Sequence, residues 1–324
     1  MGILKVLALA LRDLDMNRAL SHKRGVALQS WCPHHSFLAP CLSGKSLRHS
    51  SFLICYMVLQ CACGAPTVVA IDRMTSEHRN EASPRAFIIP FAVFMLLLEL
   101  IGRLRIENAL LPWWRQFPEH WGYPLQVLVC AGLLWGFRKH YPRISFRGAG
   151  LGVAMGGVGI LIWLLPVLVF EGLNLGEREV PSWLSSLGFQ SRREGFNPTV
   201  FGTEISGGMF FLIVALRFVR MVLIVSLVEE IFWRGFLMRW ITAGSDQWAQ
   251  LPFNRCNQRS LWLTALAFAA AHAGPDFLVS LIYGALAGWV AIRTGNLWAV
   301  VIMHMTANAL LGIFIMQTGW WGLW

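Results

Sequence analysis

The sequence predicts an all-α, polytopic transmembrane helical bundle of about seven to eight spans, and three observations carry that reading. The 324 residues are 56% hydrophobic, with a mean hydropathy of +0.54. Only 14% are charged, where a soluble domain carries about 25%. Sixteen residues are Trp, a side chain that gathers at membrane–water interfaces. The net charge of +10 does not point to nucleic acid, because the basic residues lie mostly in short loops between apolar runs. There they act as topology signals and as contacts to anionic headgroups of the bilayer. Cys32, Cys41, Cys55, Cys61 and Cys63 crowd the beginning of the chain, while Cys130 and Cys256 stand apart. No pair of C-x-x-C elements exists, which argues against a zinc knuckle.

Three segments follow from the pattern. Residues 1–85 read as a basic N-terminal extension. Its first 73 residues mix Ser, His, Cys, Lys and Arg without a period. Two readings stand for it: a disordered cytoplasmic arm, or a mis-assigned start with Met74 as the natural beginning. Residues 86–204 read as N-terminal transmembrane helices and their loops, and residues 205–324 as a helical core.

The spans come next. Apolar runs occur at Ala86–Ile101, Tyr123–Phe137, Gly148–Phe170, Phe210–Ile241, Leu261–Ala273, Phe277–Ile292 and Leu297–Met316. A span needs roughly 20 residues, so the shorter runs must borrow flanking residues or tilt. Leu261–Ala273 is the weakest, and Gly274-Pro275 ends it. Arg79 and Arg85, then Arg138, Lys139, Arg143 and Arg147, then Arg255 and Arg259, then Arg293 all fall on one side if the first run starts in the cytoplasm. Arg103, Arg105 and Arg115 run against this topology. The sequence Gly284-Ala285-Leu286-Ala287-Gly288 is a G-x-x-x-G, which inside a multi-span chain packs neighbouring helices.

Polar residues inside these runs set the functional expectation. Glu229 and Glu230 lie in the fourth run, His272 in the fifth and His304 in the seventh. An ionisable group at bilayer depth costs roughly 2.5–3.5 kcal/mol on insertion scales. At about 1.5 Å per residue, Glu229, His272 and His304 lie roughly 20, 20 and 14 Å from the cytoplasmic edge. Three helices thus bring polar groups to similar depth.

Their spacing divides the roles. Glu230 and Arg234 are four apart and share a helix face, which allows the guanidinium to neutralise one buried acid. Glu229 points about 100° away and is free to act as a general base. His304 and Asn308 are again four apart, and two donors on one face suit an oxyanion hole. Phe268 lies one turn before His272 on its face. Two chemistries fit. Glu229 and His272 could activate a water against an amide while His304 and Asn308 hold the oxyanion. Alternatively, Glu229, His272 and His304 could ligate zinc. A structural reading also stands, with both glutamates braced by Arg217, Arg220, Arg234 or Arg239. Neither H-E-x-x-H nor G-x-S-x-G occurs.

The set Glu229-Glu230-x-x-x-Arg234, Phe268-x-x-x-His272 and His304-x-x-x-Asn308 resembles the CAAX-protease and bacteriocin-processing (CPBP, or Abi) family. The likeness covers residues 205–316, and the string Val228–Leu237 is similar to its bacterial CAAX-protease-related branch. The resemblance implies an intramembrane endopeptidase whose cavity faces the cytosol. It would cut near the C-terminus of a membrane-tethered protein or peptide. Glu229, His272, His304 and Asn308 would be catalytic, with Glu230, Arg234 and Phe268 supporting. The family is often described as a metalloprotease, yet the glutamate mechanism needs no cofactor, so none is expected; zinc is the alternative. The chain is expected in the bacterial inner (plasma) membrane. Rival functions are a non-catalytic peptide-binding or immunity protein of the same fold, and an ion-coupled transporter.

Overall fold

Apolar runs that must satisfy their own backbone in lipid form helices, and every regular element among the described residues is helical. The computed structural model describes residues 83–324 apart from 107–110, 112, 178–179, 196, 199–206, 245 and 273. The expectations for residues 1–73 and for a start at Met74 lie outside the described residues.

The principal helices are α1 (Pro84–Leu104), α2 (Glu119–Gly136), α3 (Ala149–Gly172), α4 (Gly207–Ala243), α5 (Gln258–Ala271), α6 (Phe277–Thr294) and α7 (Leu297–Thr318). Each of the seven apolar runs falls on one of them. Five of these helices, α1, α3, α4, α6 and α7, are long and apolar enough to cross a membrane, fewer than the seven to eight spans expected. Helix α5 is the reason on one side of the bundle. Its 14 residues reach only about 21 Å, against a hydrocarbon core of roughly 30 Å.

The ends of the helices follow their local chemistry. Pro84 opens α1, where a missing N–H costs nothing. Asn257 caps α5 by accepting from the Ser260 N–H at 2.8 Å, and Asn296 caps α7 by accepting from the Trp298 N–H. The Asn296 amide also donates to the carbonyls of Ser145 and Arg147. This ties the loop before α3 to the start of α7. Arg103 pairs with Glu99 at 2.8 Å and Arg105 approaches Glu119 at 3.7 Å. Two of the three arginines that run against the topology thus have local acidic partners.

Packing is closest where side chains are smallest. Helix α7 has its most extensive contact with α3. A Cβ at Gly152 would overlap the Ala299 carbonyl oxygen, and one at Gly156 would come 2.5 Å from that of Met303. Helix α6 lies on α5, with Gly284 against Ala265 and Phe268, and Gly288 against Leu261. The G-x-x-x-G therefore serves packing within the chain. Aromatic rings fill the space around α4: Phe91 stacks on Phe232 at 4.2 Å, and Trp233 meets Phe268 edge-on at 5.8 Å.

Helix α4 departs from ideal geometry in two places. Val219–Val225 and Trp233–Leu237 are π-helical, and they flank the α-helical Ser226–Phe232 that carries both glutamates. Such segments widen the helix, free carbonyls from their usual donors and gather at functional sites.

Candidate active site

Three helices deliver the polar residues to one place. Glu229 from α4, His272 from the end of α5, and His304 and Asn308 from the middle of α7 line a single cavity of about 100 Å³. Phe268 of α5, Tyr283 of α6, and Gly159 and Trp163 of α3 complete its wall. That volume holds several waters, since one needs about 10–15 Å³.

Glu230 takes a different position from Glu229. It is fully buried, and both its oxygens accept from Arg234 Nη1 at 2.9 Å. Arg234 is fully buried too; its Nη2 donates to the Gly284 carbonyl at 2.9 Å, and its guanidinium lies 5.1 Å from the centre of the Phe268 ring. Glu230 also reaches the site directly, because its Oε1 accepts from His304 Nδ1 at 2.8 Å. An Arg–Glu–His chain thus orients the His304 ring and leaves Nε2 as its other polar atom. This bond joins residues 74 positions apart and has no signature in their spacing.

Glu229 is 6% exposed and lines the cavity, and its Oε2 has no hydrogen-bond partner. The other candidate arginines have hydrogen-bond partners of their own. Arg217 donates to the Trp324 carbonyl and sits over Tyr123. Arg220 donates to Gln126 Oε1 at 2.7 Å and lies 4.0 Å from the Tyr123 ring centre. Arg239 donates to the carbonyls of Gly235, Ala249 and Leu251. Of the four arginines considered, Arg234 is hydrogen-bonded to Glu230, and Arg220 lies within electrostatic reach of Glu229.

His272 caps α5. Its Nδ1 is 2.9 Å from the Phe268 carbonyl oxygen, and its ring packs on Phe268 at 4.4 Å. A carbonyl can only accept, so Nδ1 carries the hydrogen and the neutral ring has its lone pair on Nε2. Asn308 donates from Nδ2 to the Met221 carbonyl at 2.6 Å and more weakly to Ser226 Oγ at 3.4 Å. Met221 lies in the first π segment. Part of the Asn308 donor capacity is therefore engaged in holding α7 to α4.

Among the described residues, no group of three or more His, Cys, Asp or Glu side chains is disposed to hold a metal ion. Glu229, His272 and His304 share the cavity but do not form a zinc ligand set in this arrangement. Two wall residues were not singled out from sequence. Trp163 meets His272 edge-on at 5.7 Å. Tyr283 contacts Phe268, Trp163 and His304 through its ring. The signal available for Tyr283 was a phenol inside an apolar run, one residue before the G-x-x-x-G.

A buried carboxylate and two imidazoles thus line one small cavity among the helices. Residues 211–310 match the family model described as Rce1-like, type II CAAX prenyl endopeptidase Rce1-like. All three motifs lie inside that range, and the match bears out the resemblance drawn from them. The match makes this region similar to membrane endopeptidases, and together with the five apolar helices it supports a multi-pass integral membrane protein. No curated protein and no solved structure matches the chain.

Proposed function

We propose that the protein is a glutamate-dependent intramembrane endopeptidase that cuts near the C-terminus of a membrane-tethered substrate. The observation that carries this reading is the convergence of Glu229, His272, His304 and Asn308 on one cavity. Glu229 has a buried oxygen without a partner there.

The reaction is amide hydrolysis. A water in the cavity gives one hydrogen bond to Glu229 and the other to His272 Nε2. Glu229 takes a proton from the water as its oxygen bonds to the scissile carbonyl carbon. The carbonyl π electrons move onto its oxygen. His304 Nε2–H and the weakly held N–H of Asn308 face that oxyanion. His304 is a donor through Nε2 only as imidazolium, because Nδ1–H already faces Glu230. The tetrahedral species then collapses. Its C–N bond breaks, and Glu229 returns the proton to the leaving amine. The products are a carboxylic acid and an amine. No step passes through a metal.

The test is cleavage by the purified protein in lipid nanodiscs. The probe is a fluorogenic peptide ending in a prenylated Cys-a-a-X tail, run beside its unprenylated form. Glu229→Ala is expected to lower kcat by at least 100-fold, and 1,10-phenanthroline is expected to leave the wild-type rate intact. Full activity in Glu229→Ala would refute the mechanism, and loss of activity with the chelator would restore the zinc alternative. A bacterial inner-membrane location belongs to the same proposal, supported by the similarity of Val228–Leu237 to the bacterial branch.

A further inference from the structure

Tyr283 is a polar residue that the mechanism above leaves unused. It is 3% exposed, its hydroxyl is buried without a hydrogen-bond partner, and it lines the same cavity as Glu229, His272 and His304. Leaving a buried hydroxyl unpaired is costly, so such a group calls for an explanation.

Its ring is clamped on three sides. It lies nearly parallel to Phe268 at 6.2 Å and edge-on to Trp163 at 5.9 Å and to His304 at 5.7 Å. Gly159 supplies the space: a Cβ there would come 2.6 Å from Tyr283 Cε2. The phenol is within electrostatic reach of both Glu229 and Glu230. A donor fixed this way reorganises little during reaction, which is what transition-state stabilisation requires.

Two acceptors, Glu229 and His272 Nε2, take both hydrogens of the water. A donor aimed at the same water would engage the lone pair that must attack, so a phenol serves poorly there. The oxyanion, by contrast, is short of donors. Asn308 spends N–H capacity on Met221 and Ser226, and His304 contributes through Nε2 alone. We propose that the Tyr283 hydroxyl donates a hydrogen bond to the oxyanion of the scissile carbonyl, making Tyr283 a further catalytic residue; this rests on the peptidase reading above. The proton stays on the phenol throughout. The carbonyl electron pair moves to oxygen in the first step and returns when the C–N bond breaks.

The experiment compares wild type, Glu229→Ala, Tyr283→Phe and Gly159→Ala in nanodiscs. It measures kcat and KM on the prenylated Cys-a-a-X peptide, Tm, and the affinity of a phosphinate peptide that imitates the tetrahedral anion. Tyr283→Phe is expected to lower kcat about 100-fold, with KM within twofold. Phosphinate affinity should fall by the same factor. The Tm should hold or rise, because the lost hydroxyl has no partner in the free protein. Gly159→Ala should also lower kcat, and adding it to Tyr283→Phe should lower kcat little further. A kcat for Tyr283→Phe within threefold of wild type overturns the proposal, as does a kcat loss that comes with a lower Tm and unchanged phosphinate affinity. Activity that survives Glu229→Ala removes the peptidase reading and this proposal together. Activity that needs Glu229 but ignores the phenol removes this proposal alone.

Discussion

Replacing Arg234 by Met should destabilise the protein far more than replacing Arg234 and Glu230 together. Both side chains are fully buried, and Arg234 gives two 2.9 Å hydrogen bonds to the Glu230 carboxylate and one to the Gly284 carbonyl. Arg234→Met removes all three and leaves a buried carboxylate with His304 as its remaining hydrogen-bond partner. Breaking one side of a buried pair costs roughly 3–5 kcal/mol. In a chain of this size that lowers Tm by on the order of 10 °C. Glu230→Gln with Arg234→Met removes both charges, and such neutral replacements lose much less. The double variant should therefore recover at least about 1 kcal/mol relative to the sum of the single changes. Thermal unfolding in detergent micelles, followed by tryptophan fluorescence, gives the three Tm values. An Arg234→Met protein within about 2 °C of wild type, or strictly additive losses, would show that the pair does not stabilise the bundle as argued.

Two further expectations concern helix contacts. Asn308→Ala should strand the Met221 carbonyl and cost about 1–3 kcal/mol, read as a lower Tm in the same assay, while Asn308→Asp should not restore it, because the carboxylate has no N–H to give. Gly152→Leu should force α3 away from α7 at the Ala299 carbonyl, with an overpacking loss of about 1–3 kcal/mol, whereas the same change at Gly157, where a Cβ would meet nothing within 4 Å, should leave Tm unchanged.

The helices were legible because apolar runs in lipid have little other choice. Runs at Phe210–Ile241 and Leu297–Met316 became Gly207–Ala243 and Leu297–Thr318. The division between Glu229 and Glu230 was legible because an i,i+4 carboxylate–arginine pair is a property of helical spacing. The bond from Glu230 to His304 was not, since it joins residues 74 positions apart and depends on how α4 meets α7. The π segments were also hidden. Val219–Val225 is an apolar string interrupted by Arg220, and nothing in its spacing announces the wider turn it takes where it packs on α7 and α2. Tyr283 looked like one more aromatic residue in a span; its unpaired hydroxyl appears only once the walls of the cavity are in place.

The short reach of α5 bears on biogenesis. A segment of 14 residues is too brief to be recognised and released into lipid as an independent crossing. It therefore has to partition together with α6, as a preformed helical hairpin joined by the turn at Gly274-Pro275. His272 would then reach its working position only after the ribosome has delivered α6, and His304 only after α7. On the proposed peptidase reading, the cavity lacks part of its machinery until α7 has been made.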